Sequence, residues 1–220
     1  MRTLLRGIDE FLGTRRAAWK ETFTRLAHGQ QPDTLAISCS DSRISPVEFA
    51  SSAPGDVFVV RNVGNLVPPH SDASAPAVGA AIEYALAKLP IEDVVICGHS
   101  ACGAMAALLD GRALPDAPHL SAWLAYGRRE IAELPPPPPG LEPVDHLSRE
   151  NVLRQLENLR SYPAVRSREA DGRLRLHAWW FEVGTASFFD FDPAAGRYVP
   201  LDRERIARLL SETDVRRPGG

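Results

Sequence analysis

Short apolar runs alternate with helix-like segments in the first half of the chain, and this alternation constrains the fold more than any other feature. The runs with the length and composition of buried strands are TLAIS (34–38), DVFVV (56–60) and DVVIC (93–97). The segments APAVGAAIEYALAKL (75–89) and CGAMAALL (102–109) have the spacing of helices. Because a helical crossover returns the chain to the same end of the sheet, such strands pair in parallel. The sequence therefore predicts an α/β fold with a mostly parallel central sheet flanked by helices.

The remaining segments extend this single domain at both ends. Apolar side chains recur every three or four positions in the first 28 residues, which predicts an N-terminal helical arm. Five prolines at 135–139 predict a stiff extended connector, because proline is excluded from helix interiors and sheet ladders. A helix over 144–161 precedes two predicted strands, LRLHAWWFEV and ASFFDFD. We expect a helical arm (1–28), one α/β domain (29–210) and a frayed polar tail (211–220).

Charge and cysteine content exclude several classes of protein. The 25 basic and 28 acidic residues give a net charge of −3, so the chain lacks the basic surface of a nucleic-acid-binding protein. No apolar run approaches the roughly 18 residues that a membrane span needs, and the N-terminal segment lacks the apolar core of a signal peptide. The three cysteines are therefore expected to be reduced thiols of a cytoplasmic protein, free to bind metal.

Two thiols and one imidazole follow the predicted strands. Cys39 comes directly after TLAIS, and His99 and Cys102 come after DVVIC. Because parallel strands end at one edge of the sheet, we expect these side chains to converge there. Zinc binds Cys sulfur and His nitrogen, and three protein ligands leave a fourth position open, as in catalytic sites. The pattern predicts such a site, whereas Cys97, inside an apolar run, is expected to be a core thiol.

Asp41 and Arg43 lie two and four residues after Cys39. A carboxylate at this distance can be a fourth metal ligand, a base or the acceptor of a local turn. The Arg guanidinium can hold the carboxylate bidentately and keep it ionised. From the residues alone, a zinc-binding protein without catalysis and a thiol enzyme that uses Cys39 or Cys102 with His99 are also open.

The motifs CSDSR (39–43) and HSACGA (99–104), in this order, resemble those of the β-class carbonic anhydrases. Further segments similar to that family are PGDVFVVRNVGNLV (54–67), VGAAIEYAL (78–86) and ENVLRQLENLRSYPAVR (150–166). The resemblance extends over residues 30–191 and implies the reversible, zinc-dependent hydration of carbon dioxide to bicarbonate and a proton. In that family the reaction uses zinc-bound hydroxide oriented by an Asp–Arg dyad.

The resemblance also implies a role for each matching position. Cys39, His99 and Cys102 match the zinc ligands. Asp41 and Arg43 match the dyad. The positions that match the substrate pocket are Gln30, Phe58, Val63, Tyr84 and Gly103. Because this pocket forms at a subunit interface in the family, with N-terminal helices wrapped around the partner, we expect a homodimer or tetramer.

Some members of the family turn the Asp onto zinc, and bicarbonate bound in a separate pocket favours that inactive form. The separate pocket uses a Trp three residues before the first Cys ligand, together with a Tyr and an Arg. This chain has Ala36 at the Trp position, although Arg61 matches the Arg. Alanine cannot supply the indole, so bicarbonate would gain little preference for the closed form. The resemblance thus implies the open-site, plant-type-like subgroup, of which Gln30 is also typical.

One alternative lies within the family's own chemistry. Relatives that hydrolyse carbon disulfide or carbonyl sulfide use the same zinc ligands, so the ligands do not separate the two activities. The expected partners are a small molecule and other copies of the chain, without nucleic acid or membrane.

Overall fold

A six-stranded sheet forms the centre of the protein. The computed structural model describes residues 1–128, 131 and 134–216. The strands are β1 (Thr34–Cys39), β2 (Val57–Asn62), β3 (Asp93–His99), β4 (Arg175–Glu182), β5 (Ser187–Asp192) and β6 (Arg197–Pro200). Their order is β2-β1-β3-β4-β5-β6, with the first four strands parallel and the last two antiparallel. The predicted α/β fold with a mostly parallel sheet is confirmed.

Helices precede β1, fill the connections from β1 to β4 and follow β6. They are α1 (Arg2–Glu10), α2 (Arg16–Leu26), α3 (Pro46–Phe49), α4 (Pro76–Lys88), α5 (Gly103–Asp110), α6 (Pro118–Leu124), α7 (Pro143–Arg160), α8 (Pro163–Ala170) and α9 (Arg203–Arg216). A π-helical stretch (Phe11–Arg15) joins α1 to α2. Helices α4, α6, α7 and α8 each begin at a proline, which suits a first turn whose N–H groups have no partner in the helix. In the described part of the chain, no helix is long and apolar enough to cross a bilayer.

The C-terminal part contains elements that the sequence patterns did not predict. Strand β6, helix α8 and helix α9 are short or amphipathic, and α9 extends to Arg216, into the predicted frayed tail (211–220). A tertiary ion pair docks the start of α9, because Arg205 Nε donates to the buried Asp190 Oδ2 on β5 at 2.9 Å. Local sequence does not show this contact. Residues 217–220 of the predicted tail lie outside the described residues.

The apolar core has two main parts. The larger cluster packs β1 and β3 against α4, α7 and α8, with fully buried Ile37, Ile82, Ile96 and Leu159. The smaller cluster contains Leu66, Met105, Leu108 and Leu147, together with Cys39 and Cys102. The two candidate ligand thiols therefore lie in an apolar environment at one end of the sheet.

The N-terminal arm keeps its apolar face exposed in the single chain. Helices α1 and α2, which are described completely, contain no buried residue. The apolar side chains of Leu4, Leu5, Ile8 and Leu12 are all more than half exposed. A continuous apolar face of this kind is typical of a protein–protein interface. The prediction that residues 1–28 contact a partner chain is consistent with this exposure and stays a prediction.

A cross-strand ion pair joins β3 and β4 at their amino ends. Arg175 Nε donates to Asp93 Oδ1 at 2.7 Å, and His177 Nε2 lies 2.8 Å from the same oxygen. Burial disfavours the ionised carboxyl, but the hydrogen bonds from Arg175 and His177 outweigh it and hold the pKa of Asp93 at about 2. The ionised carboxylate therefore stabilises the folded state above the ordinary Asp pKa of roughly 4.

We predict that Asp93→Asn lowers the thermal midpoint at neutral pH, because the neutral amide pairs more weakly with Arg175. The difference from wild type should shrink as the pH falls from about 4 toward about 2, where the wild-type carboxyl protonates in both states. The matched control is Asp171→Asn, because Asp171 pairs with Arg173 on the exposed surface and contributes little. Circular dichroism melts at fixed protein concentration measure the thermal midpoints of both variants and of wild type. Equal midpoints for Asp93→Asn and wild type at neutral pH would contradict the prediction.

Candidate active site and metal centre

Three candidate ligands converge at the carboxyl edge of the parallel strands. Cys39 is the last residue of β1, His99 is the last residue of β3, and Cys102 immediately precedes α5. The two sulfurs and the imidazole nitrogen lie within 4.8 Å of one another, and all three residues are buried. Strands β1 and β3 are adjacent and in register from Thr34–Asp93 to Ser38–Cys97, which brings their ends together. The arrangement can hold one metal ion.

The protonation and hydrogen bonding of these groups suit a metal ion. A hydrogen bond from the Cys102 thiol lowers the pKa of the Cys39 thiol, against the opposing effect of burial. The same interaction and burial raise the pKa of Cys102, so Cys39 is the thiol of the pair that ionises more readily. His99 Nδ1 lies 2.9 Å from the Ser100 carbonyl oxygen and is the donor there, since a carbonyl only accepts. His99 Nε2 is buried and has no hydrogen-bond partner in the described part of the chain.

The donor set is one that suits zinc. Zinc prefers sulfur and imidazole ligands, and the site offers two thiols and one imidazole with a free Nε2 lone pair. The thiols bind the metal as thiolates, so metal binding displaces their protons. The orphaned Nε2 in an apolar environment is costly without an ion and favourable with one. Cys97 differs, because burial raises its pKa to about 12 and leaves it a core thiol.

A carboxylate lies beside the three ligands and is held by an arginine. Arg43 Nε donates to Asp41 Oδ1 at 2.9 Å, and Arg43 Nη2 donates to Asp41 Oδ2 at 2.6 Å. The Arg43 hydrogen bonds hold the pKa of Asp41 well below its usual range. Asp41 Oδ2 lies 3.9 Å from His99 Nε2. An ionised acceptor is therefore fixed next to the predicted metal position without occupying it.

Arg61, on β2, forms hydrogen bonds with the loop that follows β1. Its Nε donates to the Cys39 carbonyl at 3.1 Å, and its Nη2 donates to the Asp41 carbonyl at 2.8 Å and to the Ile44 carbonyl at 2.6 Å. These bonds satisfy backbone acceptors on both sides of the Asp41 side chain. Arg61 thus supports the loop that carries the carboxylate, a function that its position in the sequence does not reveal.

A glycine allows β2 and its following turn to approach the Cys39 thiol. Gly64 has φ of 82°, and its N–H donates to Cys39 Sγ at 3.4 Å. A Cβ at this position would lie 3.0 Å from the Ala104 Cβ, so a larger residue would displace α5 or the turn. Trp123 Nε1 donates to the neighbouring Val63 carbonyl at 2.7 Å and fixes the same turn. Neither contact follows from local sequence patterns.

The five predicted pocket residues fall into two groups. Val63 and Gly103 lie at the same edge as the three ligands, one after β2 and the other at the start of α5. Phe58 pairs with Leu35, four residues before Cys39, which places it roughly 13 Å back along the strands. Tyr84 contacts Phe58, with ring centroids 5.9 Å apart.

Gln30 lies with Phe58 and Tyr84 in the second group, which is away from the three ligands. It precedes β1 and lines a surface pocket with Leu26, Gly55 and Asp56, at the amino end of the strands. Within one chain, the structure therefore brings the ligands, Asp41 and Arg43 together, but not Gln30, Phe58 or Tyr84.

Comparisons with known proteins point to one family. The family model described as carbonic anhydrase matches residues 34–188. Carbonic anhydrase 1 of Escherichia coli O157:H7 is 41% identical over 199 residues, which cover 88% of this chain and 90% of that protein. The carbonic anhydrase of Synechococcus elongatus is 39% identical over 223 residues, which cover 100% of this chain and 78% of that protein.

Solved structures agree with the sequence relatives. The β-carbonic anhydrase CcaA superposes with a TM-score of 0.85 at 36% identity, covering 92% of each chain. A structure from a study of two tetrameric β-carbonic anhydrases of Sordaria macrospora has a TM-score of 0.73 at 31% identity, covering 91% of this chain and 95% of that chain.

We predict that freshly purified protein contains about one zinc ion per chain, held by the two thiolates and the imidazole. Cys39→Ser and Cys102→Ser should each lose most of this zinc in elemental analysis, because a hydroxyl does not replace a thiolate ligand. Cys97→Ser is the matched control and should keep its zinc, because Cys97 lies inside the strand and bonds the Gly98 carbonyl. Less than about a third of an equivalent after zinc addition, or equal losses in all three variants, would contradict the assignment.

Proposed function

The chain belongs to the carbonic anhydrase family, in its β class, and on that basis we propose how its residues hydrate carbon dioxide to bicarbonate and a proton. The observation that carries the proposal is the buried Cys39–His99–Cys102 cluster with the Asp41–Arg43 ion pair beside it. A structural zinc site would not need an ionised carboxylate fixed 3.9 Å from a ligand nitrogen.

Cys39, His99 and Cys102 would hold zinc, which lowers the pKa of a bound water and so supplies a nucleophile for carbon dioxide. Asp41 accepts a hydrogen bond from the attacking oxygen and thereby points a lone pair toward the substrate carbon. Arg43 keeps Asp41 ionised and fixes its rotation through two parallel hydrogen bonds. The proton released by the reaction leaves to solvent or buffer, and the carbon–oxygen bond formed gives bicarbonate.

We propose that the site stays open at neutral pH, with Asp41 held by Arg43 rather than turned onto zinc. Three features support this proposal. Both carboxylate oxygens of Asp41 already accept hydrogen bonds from Arg43. Arg61 donates to three backbone carbonyls and has few donors left for bicarbonate. Ala36 is buried in β1 and offers no indole. Bicarbonate is accordingly expected to inhibit as a simple product.

The substrate pocket is proposed to form across a subunit interface. Val63 and Gly103 line the zinc end of one chain, whereas Gln30, Phe58 and Tyr84 lie near the opposite end of its strands. A two-fold partner would bring the second group to the zinc of the first chain. Its apolar rings would surround a small neutral molecule, and the Gln30 amide would donate to a developing carboxylate oxygen.

The exposed arm supports the same assembly. Most of the apolar face of α1 and α2 is exposed among the described residues, and docking on a partner would bury it. We therefore propose a homodimer, or a tetramer built from such dimers. A cytoplasmic location is proposed as well, because all three cysteines are free and buried.

We predict that zinc-loaded protein hydrates carbon dioxide in stopped-flow assays and that Arg43→Ala lowers kcat/KM by about 100-fold or more, because Asp41 loses its orientation. The matched control is Arg173→Ala, since Arg173 pairs with Asp171 at the same two-residue spacing on the exposed surface. Its kcat/KM should stay near the wild-type value. Carbon disulfide and carbonyl sulfide are tested in parallel.

Two results would refute this proposal. If zinc-loaded wild type hydrolysed the sulfur compounds but did not hydrate carbon dioxide, the substrate assignment would be wrong. If Arg43→Ala kept full activity, the pair would not orient the nucleophile.

Mixed oligomers test whether a partner completes the pocket. One subunit carries Cys39→Ser, and the other carries Gln30→Ala with Tyr84→Ala. We predict that each variant alone is nearly inactive, whereas the mixed dimer purified with two affinity tags regains up to about half of wild-type activity. One of its two sites then combines intact zinc ligands with intact partner residues. Activity no greater than the mean of the two variants would show that the pocket forms within one chain.

A further inference from the structure

The loop between His99 and Cys102 holds one residue in an unusual backbone conformation. Ala101 has φ of 50°, in the left-handed region that residues other than glycine rarely adopt. Such a conformation persists where surrounding contacts hold it. Here the contacts come from residues far away in the sequence, on both sides of the Ala101 peptide.

Both polar groups of Ala101 have specific partners. Its N–H donates to Asp145 Oδ1 on α7 at 2.7 Å. Its carbonyl accepts a hydrogen bond from Arg43 Nη2 at 3.0 Å. Arg43 Nη2 has two N–H groups, and its other bond goes to Asp41 Oδ2 at 2.6 Å. A continuous series of hydrogen bonds therefore runs from Asp145 through Ala101 and Arg43 to Asp41.

The neighbouring residues of the loop are held independently of Asp145. Ser100 N donates to the Phe181 carbonyl at 2.9 Å, and Val183 N donates to Ser100 Oγ at 2.9 Å. Ser148 Oγ donates to the His99 carbonyl at 2.8 Å. The His99 ligand therefore has its own supports on β4 and α7, whereas Ala101 depends on Asp145 and Arg43.

We infer that Asp145 is a positioning residue for carbon dioxide hydration, because its carboxylate holds the Ala101 carbonyl where it fixes the Arg43–Asp41 pair. Asp41 Oδ1 also accepts a hydrogen bond from the Arg43 backbone N–H at 2.9 Å, and the bond from Arg43 Nη2 to the Ala101 carbonyl gives the guanidinium an anchor outside the pair. Asp145 keeps the acceptor in place by bonding the amide of the same residue. The inference rests on the proposed function, since it concerns the orientation of Asp41 toward the substrate.

Three variants of Asp145 distinguish the effect of its hydrogen bond on activity from the effect of its charge. Asp145→Ala removes the acceptor, and we expect kcat to fall by about 10- to 100-fold with little change in KM. Asp145→Asn keeps an oxygen acceptor without the charge and should stay within about threefold of wild type. Asp145→Glu keeps the charge at the start of α7 but moves the acceptor by one methylene, so it should fold normally and lose activity.

The matched control is Glu142→Ala, which removes a carboxylate at the same helix start. Glu142 is exposed and makes no side-chain capping bond within the described residues, so kcat should not change. Zinc content should stay near wild type in every variant. A crystal structure of Asp145→Ala or Asp145→Glu should show the Arg43–Ala101 bond broken while the His99–Ser148 bond remains.

A double-mutant cycle shows whether Asp145 acts through Arg43. In the Arg43→Ala background, Asp145→Ala should cause less than about a twofold further loss of kcat, because the interaction it supports is already absent. A merely structural role would instead multiply the two losses. If Asp145→Ala does not fold, the same cycle is run with Asp145→Glu.

Several results would overturn the inference. They are an unchanged kcat in Asp145→Ala and Asp145→Glu, an equal loss in Asp145→Asn and Asp145→Ala, losses that multiply with Arg43→Ala, or loss of zinc together with activity. Failure of the proposed function gives a different result, because wild-type protein would then not hydrate carbon dioxide.

Discussion

The register between β1 and β3 is the constraint on which the site depends. Their pairing from Thr34–Asp93 to Ser38–Cys97 places Cys39 and His99 at the same edge, within reach of one ion. A slip of one residue would turn buried side chains of either strand to the opposite face of the sheet. Because apolar clusters on the sheet include fully buried Ile37 and Ile96, the core itself maintains this register.

Hydrogen bonds from neighbouring elements fix the loops and strand ends that carry the site residues. Arg61 donates to the carbonyls around Asp41, Gly64 gives its amide to Cys39 Sγ, and Ser148 supports the His99 carbonyl. These bonds run from side chains on neighbouring elements to the backbone of the loops that carry the ligands. The loops are short and polar, so their geometry depends on these distant partners more than on their own conformational preferences.

The strand ends and the grouping of the three ligands could be predicted because both follow from local apolar patterns and parallel pairing. The hydrogen bonds that hold the site loops could not be predicted, since they come from Asp145 and Arg61, single polar residues whose partners are backbone atoms of other segments. Helix α9 was missed for a similar reason, as the Arg205–Asp190 ion pair docks it on β5. The separation of Phe58 from the ligands follows from strand register, which the motifs of a single chain do not contain.

The most direct test of this site is a crystal structure of zinc-loaded protein at neutral pH, with anomalous scattering recorded at the zinc edge. We predict one ion bound by Cys39 and Cys102 sulfur at about 2.3 Å and by His99 Nε2 at about 2.0–2.1 Å, with a solvent oxygen as fourth ligand. Asp41 should remain paired with Arg43. A zinc ion on a different set of residues, or one coordinated by the Asp41 carboxylate, would contradict this prediction.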